Sequence, residues 1–105
     1  MAGYFLSRDA DEDLQNIFNY TQGSWGEAQA TTYMHELFAR FDLIAGTPAI
    51  GRVRPELGED IRSFPYGRHV VFFTVWQGEI AILRVLHGSR DVDAIFENFK
   101  PAQDF

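Results

Sequence analysis

The sequence predicts an α+β fold in the order β-α-α-β-β-β, with a helical hairpin packed on a mostly antiparallel sheet. Three observations carry this. Apolar residues recur at helical spacing twice in the first half. In the second half, two unbroken apolar runs flank a two-residue turn. Stretches holding Gly or Pro separate these segments.

The elements follow in order. Tyr4 to Ser7 reads as a short strand. Ser7 then caps a helix whose start holds Asp9, Asp11, Glu12 and Asp13, acids that complement the helix dipole. Leu14, Ile17, Phe18 and Thr21 recur along one face, and Gly23, Ser24 and Gly26 interrupt it. A second helix is expected from about Glu27 to Ala45, with Ala30, Tyr33, Leu37, Phe38, Phe41 and Ile44 as its stripe. Gly46 and Thr47-Pro48 stop it. The short break makes the two helices an antiparallel hairpin. Residues 47–60 read as loop, Ile61 to Phe64 as a strand, and Pro65-Tyr66-Gly67 as a turn. His69 to Trp76 and Glu79 to Leu86 form a hairpin about Gln77-Gly78. Asp91 to Phe99 is expected to form a short terminal helix.

Hydrophobic residues make up 46% of the 105 residues, and ten are Phe, so residues 1–105 are expected to form a single globular domain. There is no cysteine, which excludes disulfides, thiolate zinc sites and thiol nucleophiles. No apolar run nears the ~20 residues of a membrane span, and the N-terminus lacks a signal-peptide pattern. A cytoplasmic protein is therefore expected. Asn19-Tyr20-Thr21 matches a glycosylation acceptor but lies inside a helix, so it is read as chance.

The formal net charge is −6, which argues against direct nucleic-acid binding. The charges are uneven: residues 1–51 carry two Arg against seven acids, whereas residues 52–90 carry six Arg against four.

The hairpin is apolar on both faces. Val70, Phe72, Thr74 and Trp76 alternate with Val71, Phe73 and Val75. In its partner, Ile80, Ile82 and Leu86 share a face with Arg84, opposite Ala81, Leu83, Val85 and His87. Antiparallel sheets with one wet face alternate apolar and polar. Two helices cover one face only. The other must be covered by the 47–60 loop and residues 91–105, by a second copy, or by a partner. Without a companion, the chain is expected to self-associate.

Catalytic signals are sparse. Asp9, Asp11 and Asp13 imitate a calcium loop, but its sixth position is Leu14 and its twelfth Tyr20. His35, His69 and His87 lack metal-ligand spacing, no phosphate-binding loop is present, and nothing marks Ser63 or Ser89 as activated. No cofactor or metal is expected. Eight of the nine basic residues are Arg, the residue suited to bidentate contacts with carboxylate or phosphate. Arg52, Arg54, Arg62, Arg68, Arg84 and Arg90 could form one such face, or pair with Glu56, Glu59, Asp60 and Glu79. Arg84 interrupts an apolar strand, so it should be buried beside an acid or meet a ligand.

The segments GRVRPEL (Gly51–Leu57), RSFPYGRHV (Arg62–Val70) and RVLHGSRD (Arg84–Asp91), in this order, resemble the ParE toxins of bacterial type II toxin–antitoxin modules, within the RelE/ParE superfamily. The likeness runs from about Tyr4 to Asp91. It implies the RelE/ParE-like fold and a cytosolic toxin neutralised by a ParD-like antitoxin. It further implies that the toxin acts by binding DNA gyrase and not by catalysis. The residues expected to meet the antitoxin are Leu14, Phe18, Phe38 and Phe41, with Arg52, Arg54, Arg68 and Arg84. Members of the RelE branch instead cut mRNA on the ribosome. On that alternative, Arg62, Arg84 and His87 would act on RNA, and Tyr66 could assist. A further alternative is a non-toxic remnant that only binds an antitoxin.

Overall fold

The structure, a computed structural model, describes residues 3–97. Strand β1 (Tyr4–Leu6) leads into helix α1 (Arg8–Trp25), and α2 (Glu27–Gly46) follows after Gly26. Gly26 turns the chain at φ 91°, a region that glycine enters without strain. Strands β2 (Arg52–Val53), β3 (Arg62–Tyr66), β4 (His69–Trp76) and β5 (Glu79–His87) come next, then the short helix α3 (Val92–Phe96). The sheet order is β1-β5-β4-β3-β2, with β1 parallel to β5 and the other pairs antiparallel. Among the described residues, no helix is long and apolar enough to cross a membrane.

The α+β architecture and its element order are as the sequence predicts, with local corrections. The 47–60 segment is not all loop. Pro48–Ile50 forms a 3-10 turn, and Arg52–Val53 pairs with Arg62 and Ser63 as an edge strand. Two exposed residues give no periodic signal. Pro65-Tyr66 belongs to β3 and not to the turn, which is Gly67-Arg68 with Gly67 at φ 58°. Pro65 sits opposite Val70, one step from the closing pair Tyr66–His69, where strand geometry aims the N–H away from β4. Its missing donor is not needed there. Asp91 caps α3 through Ala94, and the expected Phe99 end lies outside the described residues.

One β-bulge resets the hairpin. Phe73 faces Ile82, but Phe72 faces Arg84, so Leu83 is an extra residue on β5. The alternation expected for β5 therefore fails beyond Ile82. Val85 joins Ile80 and Ile82 on the helix side, and Leu86 joins Ala81 and Leu83 on the far side.

The helix-side core holds Leu14, Ile17, Leu37, Phe41 and Ile44 against Val71, Phe73, Ile80, Ile82 and Val85. The far face is also closed. Leu57 and Ile61, with Phe96, Val92 and Ile95 of α3, pack on Phe72, Ala81, Leu83 and Leu86. Phe72 is 1% exposed, and its ring lies 5.3 Å from that of Phe96. The chain thus covers both faces of its own hairpin. Of the three covers the sequence left open, the chain's own 47–60 loop and terminal segment supply this one, and neither a copy nor a partner is needed for it. The motive for expecting self-association is thereby removed.

Helix α1 also guards an open strand. β1 pairs with β5 only as far as Ile82. Beyond it, Ser7 Oγ donates to Leu83 O (2.8 Å), and Asp13 Oδ2 accepts from Val85 N–H (3.0 Å). Side chains of the helix start thus satisfy the backbone that β1 leaves unpaired.

Candidate functional site

The outer surface of the helical hairpin carries a groove of about 480 Å³. Leu6, Leu14, Phe18, Met34 and Phe38 give it an apolar lining, and Asp11, Gln15, Asn19, Thr31 and His35 add polar groups. Helical spacing places Leu14 and Phe18 on one face of α1. Phe38 faces them from α2, 36% exposed, its ring edge-on to Phe41 at 5.6 Å. Phe41 does not reach the groove. It is fully buried and also packs edge-on against Tyr4 at 5.4 Å. Of the expected apolar contacts, then, Phe18 and Phe38 share one surface, with the buried Leu14 at its base. Phe41 lies behind it and sets the position of Phe38.

The arginines do not form one face. Arg52 and Arg54 lie at the β2 end of the sheet. Arg54 Nε donates to Glu56 at 2.9 Å, and its Nη1 donates to Ser63 Oγ at 3.2 Å. Arg62 Nη1 donates to Gly51 O at 3.0 Å. Arg68 sits in the β3–β4 turn. Arg84 is partly buried and paired with an acid: Nε and Nη2 donate to the two oxygens of Asp13 at 2.7 and 2.9 Å. These hydrogen bonds raise the pKa of Arg84, against the effect of burial.

Nor are Arg62, Arg84 and His87 gathered into one site. Arg62 faces Phe73, whereas His87 faces His69, four residues along β4 or about 13 Å of strand rise. Arg84 is held by Asp13. Tyr66 lies under the Arg40 guanidinium, 4.6 Å from the ring centroid.

A second concavity opens between α1 and the end of the sheet. Its larger lobe, about 430 Å³, is lined by Tyr20, Trp25, Gln29, Tyr33, Arg68 and His69, among others. A smaller lobe of about 270 Å³ holds Asn16, Arg90 and Asp13. Tyr20, Thr21, His69 and His87 line both lobes. Tyr33 organises the floor. Its oxygen lies 2.6 Å from His69 Nδ1 and accepts from Arg68 N–H at 3.3 Å. Burial lowers the pKa of His69, and the neighbouring His87 lowers it further, with Asp13 opposing. The His69 and His87 rings stand 5.7 Å apart. Sequence reasoning missed this pairing. The register fixed at Trp76–Glu79 would set His69 opposite Leu86, and only the bulge at Leu83 brings it to His87. Among the described residues, no group of three His, Cys, Asp or Glu side chains is placed to hold a metal ion.

Comparison with known proteins gives the family. Residues 4–92 match the family model described as "ParE toxin of type II toxin-antitoxin system, parDE". Toxin ParE1 of Caulobacter vibrioides is 39% identical over 94 residues, spanning 90% of this chain and 97% of the relative. Toxin ParE1 of Mycobacterium tuberculosis is 38% identical over 91 residues, spanning 86% and 93%. Toxin ParE of Escherichia coli is 30% identical over 93 residues, spanning 88% and 90%. Among solved structures, a chain of the chromosomal ParDE TA system from P. aeruginosa superposes with a TM-score of 0.71. That superposition covers 83% of this chain and 96% of the other, at 21% identity, and so speaks to the fold. The chain belongs to the ParE toxin family of type II toxin–antitoxin systems.

Proposed function

We propose that the chain is a cytoplasmic toxin that acts by binding a protein target, DNA gyrase, and so blocks replication. A ParD-like antitoxin holds it silent, as the ParDE system of its structural neighbour suggests. One observation carries the choice of binding over catalysis. The residues that would serve RNA cleavage are dispersed, and the Arg84 guanidinium is committed to Asp13. An RNase needs its acid, base and charge-stabilising groups around one phosphate.

The groove between the helices suits the antitoxin. An apolar lining with polar groups around it fits one face of an amphipathic helix. Leu14, Phe18 and Phe38 would take its apolar side chains. Arg52 and Arg68 would meet acids flanking that helix, and Arg54 could do so by exchanging its Glu56 partner. Arg84 contributes indirectly, by fixing α1 on β5.

Expression of the chain in bacterial cells tests this reading. Filamentation with induction of the DNA-damage response is expected, relieved by co-expression of the antitoxin. Immediate arrest of protein synthesis with cleaved mRNA would point to the RelE-type alternative. Undisturbed growth would point to a non-toxic antitoxin binder.

A further inference from the structure

We infer that the two-lobed cleft between α1 and the end of the sheet binds a nucleoside phosphate, its base in the aromatic lobe and its phosphate in the smaller one. This goes beyond the toxin reading and does not depend on it.

The size fits first. Lobes of about 430 Å³ and about 270 Å³, with Tyr20, Thr21, His69 and His87 lining both, lie within the range of small-ligand sites. The aromatic surface fits next. Tyr20 and Trp25 are 70% and 63% exposed, yet both line the larger lobe. Two exposed aromatic residues that line one concavity offer stacking faces to a ligand. A base stacks on such faces whatever its identity, and Gln29 beside them can both donate to and accept from its edge.

The charge fits last. Arg68 lines the aromatic lobe and Arg90 the smaller one, and among the described residues neither side chain has an ion pair. Arg90 stands beside His87 and Asn16, where a phosphate would find donors. The one acid lining the cleft is Asp13, and its oxygens already accept from Arg84 and from Val85 N–H. Asp91, next to Arg90 in the chain, caps α3 through Ala94 N–H. A cationic cleft in a chain of net charge −6 selects a small anion over a long one. A polynucleotide would extend past the cleft against the net negative charge of the chain, whereas a single nucleotide would stay within it. The floor is already rigid, because Tyr33 ties His69 to the Gly67-Arg68 turn.

The experiment titrates the purified full chain with AMP, GMP, CMP and UMP, followed by calorimetry and tryptophan fluorescence. Saturable binding of at least one nucleotide is expected, with Kd below about 1 mM. Inorganic phosphate and adenosine should each bind at least about tenfold more weakly, since each fills one lobe. Trp25→Ala and Arg90→Ala should each weaken binding about tenfold with unchanged circular dichroism, and both residues are exposed enough to be replaced without unfolding. Phe38→Ala, in the separate groove, should leave the affinity unchanged. The inference would be overturned by no saturation by any nucleotide up to about 10 mM, by inorganic phosphate binding as tightly as the nucleotides, or by both cleft variants binding like wild type. Single-stranded RNA binding more tightly than every mononucleotide would also overturn it.

Discussion

The Asp13 carboxylate grips Arg84 with two hydrogen bonds, and one of its oxygens also accepts from the Val85 N–H beyond the bulge. The pair therefore locks α1 to β5 where β1 has ended. Their side chains are 11% and 23% exposed, between a surface and a buried ion pair. Arg84→Ala strands a desolvated carboxylate and should destabilise the fold by about 2 kcal/mol. A double-mutant cycle with Asp13→Ala, read by chemical denaturation, should show clear coupling. Additive losses would mean that the pair does not hold the helix.

Gly51 is required by close approach and not by its backbone angle. A Cβ there would stand 2.4 Å from the ring of Phe73, which is fully buried. Gly51→Ala should cost about 1–3 kcal/mol through overpacking. Thermal unfolding reads this directly, and an unchanged Tm would show that Phe73 can move aside.

His69 makes stability depend on pH. Its folded pKa is lowered from 6.5, first by burial and then by His87. Below pH 6.5 the unfolded chain therefore takes up this proton more readily than the folded one. The His69 contribution is complete above that pH and is lost as pH falls toward the lowered folded value. His69→Gln should flatten the fall in Tm on acidification through this range. A slope unchanged by the substitution would assign the effect to other groups.

Phe96 roofs the far face of the sheet. Phe96→Ala should cost about 3–5 kcal/mol, the usual loss for a buried aromatic. It should also raise the binding of an apolar dye and promote association, since Phe72 and Leu83 lose cover. A variant as stable and monodisperse as wild type would mean that α3 is dispensable as a roof.

The groove can be separated from the rest of the molecule. Phe18→Glu or Phe38→Glu places a charge in an apolar contact at the rim of the fold. Each should weaken antitoxin binding at least about a hundredfold, a loss on the scale of an interface hot spot. Toxicity should persist. Retained neutralisation by the antitoxin would move the interface elsewhere.

Much of this was legible in the sequence because it is local. The Ser7 cap, the Gly46 stop and the Gln77-Gly78 turn each follow from one or two residues. Arg84 signalled its buried partner by interrupting an apolar run. What escaped is long-range. The two-residue edge strand at Arg52 exists only because Arg62 and Ser63 lie beside it. The bulge at Leu83 has no sequence mark, yet it exchanges the faces of Val85 and Leu86 and creates the His69–His87 pair. The cover on the far face was legible only as one of three alternatives, because it depends on how Leu57 of the loop, Ile61 of the next expected strand and Phe96 of the terminal helix fold back onto it. For the candidate site, apolar spacing indicated Leu14, Phe18 and Phe38 but could not tell Phe38 at the surface from Phe41 in the core.

The most direct measurement of the central claim is a supercoiling assay with purified gyrase and the purified chain. Loss of supercoiling, restored by stoichiometric antitoxin, is expected, with no cleavage of mRNA in a translating extract. Full gyrase activity at saturating toxin, together with mRNA cut on the ribosome, would contradict the account.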